Sequence, residues 1–218
     1  QFLSRVADLM ILNIVFLITC IPIVTIGAAW TSLYYVALKM VRNEESYIVR
    51  SYFKSFKENV KQSTIMWLIT VALILLLFFD YRILSVMEGT LAQAVQIGLT
   101  LVVVVLAMIL TYLFPLQSKF YNTIKNTCKN ALLMSIRHLP QTLIMLAITV
   151  ASVFITFLNN WTFSYGLLFW MLLGFATVAL AKSWFFVRIF DKYIPKEEEE
   201  TASDEEFSVP VAEEKNEL

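Results

Sequence analysis

The chain has 218 residues, 59% of them hydrophobic and 16% charged, whereas a soluble domain is roughly half apolar and a quarter charged. This excludes an ordinary water-soluble fold and implies a polytopic membrane protein. Formal net charge is zero, but residues 191–218 hold eleven of the seventeen acids beside only Lys192, Lys196 and Lys215. Residues 1–190 therefore carry fourteen bases against six acids, a net of +8, which suits anionic lipid head groups or an acidic partner and gives no sign of nucleic-acid binding.

The first apolar run, residues 9–38, is thirty residues without a charge. As one straight helix it would be about 45 Å long at 1.5 Å per residue, against roughly 30 Å of bilayer hydrocarbon. Pro22 removes an amide donor and Gly27 tolerates unusual backbone angles, so a break is expected around 22–27 with helix on both sides. The part beyond Gly27 should take a changed axis toward the cytoplasmic surface. Backbone opened at that depth must be buried in protein or line a wet cavity. The hydroxyls of Thr25, Thr31 and Ser32 can satisfy it, and with Pro22 and Gly27 they are also the candidate polar site if the break binds a substrate or ion. The run lacks a small-residue cleavage site followed by a polar domain, and reads as a retained membrane segment.

In the basic stretch that follows, Arg50, Lys54, Lys57 and Lys61 recur at helical spacing on one face while Ile48, Tyr52, Phe53, Phe56 and Val60 line the other. That predicts an amphipathic helix lying at the cytoplasmic membrane surface, as a lipid anchor or as a docking surface. Further apolar runs occupy 63–79, 97–116, 139–158 and 163–181. Asp80, Arg82 and Glu88 rim the loop between the first two of these. Asn159, Asn160, Trp161 and Thr162 suit a tight interfacial turn between the last two. In the final run Gly174, Ala176, Thr177 and Ala181 offer a small-residue face for close helix packing.

Counting the first run once gives about five transmembrane helices. Loops 39–61 and 119–137 and the segment from 182 onward hold fifteen bases, and the other side only Arg5 and Arg82. The positive-inside bias then puts the amino terminus outside and both long loops and the tail inside. A first run that turned back as a re-entrant hairpin would instead bring the amino terminus inside and leave the other loops in place. Stretches 34–69 and 112–147 share an order of helix end, basic helix and apolar span, a weak sign of a parallel duplication.

Little here points to chemistry. The centres of the five predicted spans carry no ionisable residue, the usual mark of proton or ion coupling. His138 is the single histidine and reads as an interfacial polar cap. Cys20 and Cys128 sit in unlike surroundings and suggest no bridge, and no metal, cofactor or nucleophile motif occurs. Residues 195–218 are acidic and poor in apolar residues apart from Phe207 to Val211, the composition of a disordered cytoplasmic tail beyond a membrane domain of residues 1–194.

The stretches IPIVTIGAAWTSLYYVALKMVRNEESYIVRSYFKSFKENVKQSTIMWLI, YRILSVMEGT and KNALLMSIRHLPQTL resemble the YesL-like family of bacterial integral membrane proteins, a family of unknown function. The resemblance runs from Phe2 to about Tyr193. It implies a small multi-pass protein of the bacterial plasma membrane, of a kind often encoded near sugar ABC transporters and glycan-degrading enzymes. An accessory role in carbohydrate uptake is what this suggests, and no catalytic residue comes with it. The expectation is therefore an all-α membrane bundle without enzymatic activity. Its basic helices would meet a sugar ABC transporter permease or a membrane sensor, with a homo-oligomer left open. The rival is a small transporter or channel using the broken first helix as its pathway.

Overall fold

Pro22 divides the thirty uncharged residues into two helices. In the computed structural model, which describes residues 2–44, 47–87 and 89–193, α1 (Phe2–Cys20) stops just short of this proline, where the ring and missing amide oppose continued helix. A 3₁₀ turn, Ile23–Thr25, leads into α2 (Ile26–Arg42). The two helices run antiparallel. Arg5, at the start of α1, donates to the Met40 carbonyl at 3.0 Å and to Asn43 Oδ1 at the end of α2. Phe16 meets Trp30 edge-on with ring centroids 4.9 Å apart. The expected broken span that continues toward the cytoplasmic surface, with its amino terminus opposite residues 39–42, is thereby corrected in favour of the alternative in which the run turns back, because Arg5 lies beside the end of α2. The physical reason is burial: Gly27, Ala28 and Ala29 open α2 with side chains small enough for close packing, and all three are buried.

The returning α2 is the core of the bundle: eleven of its seventeen residues are buried, whereas α1 buries Leu12, Asn13 and Phe16. It packs on α3 (Ile48–Leu84) and α8 (Phe175–Phe190), and less extensively on α4 (Thr90–Lys119). Tyr34 touches Phe186 edge-on at 5.9 Å, and Phe186 in turn meets Tyr112 at 5.2 Å. At its end Asn43 adopts the left-handed conformation, φ 56°, and its amide closes the helix on the Met40 carbonyl, an asparagine C-cap.

The predicted surface helix of residues 48–61 is instead the first half of α3, which continues unbroken for 37 residues. No glycine or proline interrupts it, and its buried stripe of Ile48, Tyr52, Ser55, Asn59, Ser63, Met66 and Thr70 keeps helical spacing across the expected boundary. Four of these residues, Ser55, Asn59, Ser63 and Thr70, are polar and face protein, so the stripe belongs to the bundle and not to lipid; Phe53 is exposed. In the second stretch of the suggested duplication, α5 (Ile124–Arg137) is set off from α4 by residues 120–123 and from α6 (Leu139–Thr156) by His138. The two stretches therefore differ in form.

Asn159 then caps α7 (Asn160–Phe169) through a capping box with Thr162. The chain passes through a π-helical turn, Trp170–Gly174, into α8. Asn13, fully buried in α1, closes on that turn: its amide nitrogen donates to the Trp170 and Met171 carbonyls at 3.1 and 2.8 Å, and its Oδ1 accepts from the Ala176 amide at 3.1 Å. In the predicted small-residue face Gly174 and Ala176 are buried, whereas Thr177 is half-buried and Ala181 exposed; Ala179 and Ser183 complete the buried side. Among the described residues all the regular secondary structure is helical. Six segments are long and apolar enough to cross a membrane: Leu3–Cys20, Ile23–Arg42, Ile48–Leu84, Thr90–Lys119, Leu139–Thr156 and Asn160–Phe190. These suit a multi-pass membrane protein. Glu88 and the acidic tail of residues 195–218 lie outside the described residues.

Gly27 is a point of close approach between α2 and α3. A Cβ there would collide with the Ser63 carbonyl oxygen and come within 2.6 Å of the Trp67 Cβ. Gly27→Ala is expected to cost about 1–3 kcal/mol by overpacking, read as a lower melting temperature in detergent. Gly98→Ala, where nothing lies within 4 Å of the added carbon, should not lower the melting temperature and can raise it slightly, since alanine favours helix over glycine.

Candidate functional site

The polar residues near Pro22 are occupied with one another and with their neighbours. Thr25 Oγ1 donates to the Thr19 and Pro22 carbonyls, both at 2.8 Å. Thr31 Oγ1 bonds the Gly27 carbonyl at 3.0 Å and Ser63 Oγ at 2.8 Å, and Ser32 Oγ donates to the Ala28 carbonyl at 2.8 Å. Trp67 Nε1 reaches over from α3 to the Ile23 carbonyl at 2.9 Å. Tyr52, buried in α3, meets Thr19 Oγ1 at 2.6 Å. The Thr25 and Trp67 bonds serve carbonyls at the turn itself, as apolar surroundings demand, whereas those of Thr31 and Ser32 go to carbonyls one turn back within α2.

The basic end of the bundle is arranged differently. Arg50, Lys54, Lys57 and Lys61 are all exposed along one side of α3, held there by a buried polar seam on the opposite side. Asn59 donates to the Ser55 carbonyl at 3.0 Å and accepts from Gln117 Nε2 at 3.1 Å; Gln117 Oε1 accepts from Thr127 Oγ1 at 3.4 Å. The seam links α3, α4 and α5, and Gln62 adds a bond to the Asn122 carbonyl. Lys125 and Lys129 are exposed on α5. Ion pairs at this end among the described residues join Arg42 to Asp191 and to Glu44, and the cations of α3 and α5 face outward.

A second basic cluster lies where α5 turns into α6 beside the end of α8. His138 is buried, its Nε2 lies 3.1 Å from Tyr193 Oη, and the Arg137 guanidinium sits over the Tyr193 ring at 5.6 Å. Burial lowers the His138 pKa below the ordinary imidazole value, and nearby Lys192 and Arg137 lower it further. The residue stands at the cap between α5 and α6 and is also packed into a cationic corner. Cys20 and Cys128 are unpaired thiols, and burial pushes that of Cys128 up.

Sequence reasoning missed Lys182. It ends the apolar run at Ala181 and assigns Lys182 to the basic flank, yet α8 continues to Phe190 and turns Lys182 into the protein, 7% exposed, beside Ser183. The buried Ser183 Oγ has no hydrogen-bond partner among the described residues. The signal available beforehand was the run of apolar residues after Lys182, which extends helical burial past the charge. Among the described residues no three of His, Cys, Asp and Glu are grouped as metal ligands.

Residues 9–81, from within α1 almost to the end of α3, match the model of a family described as a protein of unknown function, DUF624. No curated protein matches the chain. No solved structure matches it either.

If the seam holds the basic helices in register, Gln117→Leu should destabilise the protein by about 1–3 kcal/mol, because it leaves the buried Asn59 Oδ1 without its partner. Asn59→Leu should cost a similar amount. The double variant should fall well short of the sum, since the second substitution removes a group already unpaired; additive losses in chemical or thermal denaturation would show that the two residues are not coupled.

Proposed function

We propose that the protein is a non-enzymatic accessory subunit of the bacterial plasma membrane, which docks another membrane protein through its basic end. The observation that carries this reading is the extension of α3 beyond its apolar stretch. Four cations stand exposed on one side of a helix that a buried seam holds stiff, and a preorganised charged face favours association with an acidic surface. A sugar transporter permease or a membrane sensor as partner, and a link to carbohydrate use, follow from the resemblance to the YesL-like family.

In this reading α1 and α2 form a re-entrant hairpin, beside four crossing segments made by α3, α4, α6 and the α7–α8 pair. Depth supports it. Trp67, which binds the Ile23 carbonyl, lies six residues past Lys61, about 9 Å along the helix; thirteen further residues separate it from Asp80. Ile21 and Ile23 at the tip are 76% and 71% exposed, apolar side chains suited to hydrocarbon. Both ends of the hairpin then share the basic side, and only Arg82 of the seventeen bases falls on the other. A polar pathway through the Pro22 turn is disfavoured because its hydroxyls and carbonyls are already paired. The buried Lys182 beside the unpartnered Ser183 Oγ is the one feature that favours transport, as charges retained within a bundle often mark ion paths.

Affinity purification in gentle detergent followed by mass spectrometry tests the docking reading. The wild-type chain should retain a membrane partner, and Lys54→Glu with Lys57→Glu should reduce its recovery by about tenfold or more, the scale of losing charge complementarity at an interface. Equal recovery with both forms would remove the basic row from the interface.

A further inference from the structure

The cationic corner at the end of α8 does not belong to the docking face of α3, and its chemistry is distinct. A cavity of about 370 Å³ opens there, walled by Pro140, Gln141 and Ile144 from the start of α6 and by Phe185, Arg188, Ile189 and Lys192 at the end of α8. Arg188 and Lys192 stand one helical turn apart on the same wall, so both can meet one ligand. The Arg188 guanidinium lies 3.5 Å above the Trp184 ring, a stack that fixes its plane and leaves its edge donors free to point outward. The first turn of α6 adds the positive end of an 18-residue helix. His138 and Arg137 lie behind it, close enough that Lys192 and Arg137 both act on the imidazole. Asp191, the neighbouring acid, is engaged by Arg42. Among the described residues no ion pair involves Arg137, Arg188 or Lys192.

The other walls are apolar. Ile144, Phe185 and Ile189 line the cavity toward the helices that enter the membrane, α6 and α8. A site with two cations at its mouth and hydrocarbon below matches a ligand with an anionic head and an acyl chain. The volume falls in the range of pockets for small ligands, roughly 300–1,000 Å³.

We propose that this corner is a binding site for the phosphate head group of an anionic phospholipid of the basic-side leaflet, held by Arg188 and Lys192 with an acyl chain along Ile144, Phe185 and Ile189. Arginine is suited to the task because its donors engage phosphate oxygens in pairs, and the lysine adds a point charge from the adjacent turn. The site would tie the ends of α6 and α8 to a defined lipid, separately from any protein partner.

The test uses the full chain, delipidated in a neutral detergent and titrated with phosphatidylglycerol, with phosphatidylcholine, and with inorganic phosphate, while bound lipid is counted by native mass spectrometry. The site predicts one phosphatidylglycerol retained per chain, at least about tenfold more tightly than phosphatidylcholine, with no competition by millimolar inorganic phosphate. Arg188→Gln with Lys192→Gln should weaken retention about tenfold or more. Arg188→Lys should keep most of it. Lys125→Gln with Lys129→Gln, which removes the same charge from the exposed face of α5, should leave it unchanged. Melting curves in detergent alone confirm that each variant folds; if the Gln pair does not, the Arg188→Lys and α5 variants and the lipid selectivity of the wild type still decide the matter. Equal weakening by the two double variants would overturn the site in favour of diffuse surface charge. Displacement by inorganic phosphate would overturn the lipid assignment, and equal retention of the two lipids would overturn both.

Discussion

Backbone groups released from helix pairing in an apolar setting must find partners within the protein, and the architecture depends on how this chain meets that requirement at two places. At the Pro22 turn the Thr19 carbonyl is taken by the Thr25 hydroxyl and the Ile23 carbonyl by the Trp67 indole, while the Pro22 carbonyl accepts from both the amide and the hydroxyl of Thr25. At the π-turn the Trp170 and Met171 carbonyls and the Ala176 amide are taken by the single side chain of Asn13. Unsatisfied, each such group costs several kcal/mol in hydrocarbon. Because both solutions are long-range, they also fix tertiary arrangement. Trp67 ties the hairpin tip to α3, and Asn13 ties the first helix to the last.

From these two ties the rest follows. A hairpin held to α3 and α8 buries α2 on several sides, and Gly27 lets the α3 backbone come close enough for Ser63 to reach Thr31. With α2 at the centre, its basic end gathers the ends of α4 and α8, where Arg42 meets Asp191 and Phe120 meets Phe190 at 5.4 Å. The seam through Asn59, Gln117 and Thr127 carries the same order beyond the apolar stretch and stiffens the basic half of α3. By contrast, residues 71–79 of α3 and 97–105 of α4 are mostly exposed and apolar, a surface that bilayer lipid satisfies without any protein partner.

Much of the fold was legible in the residues, and what escaped has particular causes. Length against bilayer thickness located the interruption at Pro22, and the polar cluster at Asn159 to Thr162 located a turn that proves to be a capping box. The direction taken after Pro22 was not legible, because apolar content is the same for a span that continues and one that returns. Arg5 held the only charge signal, and one arginine weighs little against fifteen other bases. Residues 48–61 looked amphipathic because their cations are spaced like a helix face. The buried Ser55 and Asn59, which join them to the bundle, look solvent-facing in sequence until Gln117 supplies a partner from 58 positions away. Nothing in the sequence marks Asn13 beyond its being a polar residue in an apolar run, since its π-turn partners lie 157 residues or more distant. The docking and polar-site assignments had less to rest on, as charge spacing marks a face but not what meets it.

The central claim is that the first apolar run turns back, so that both its ends share a side with the basic helices. Single cysteines at Ser4 and at Lys54, each in a chain with Cys20→Ser and Cys128→Ser, test it with a membrane-impermeant maleimide applied to intact cells and again after permeabilisation. The hairpin predicts that both positions are protected in intact cells and labelled once the membrane is opened. Labelling of Ser4→Cys in intact cells while Lys54→Cys stays protected would contradict it, and would put a full crossing between them.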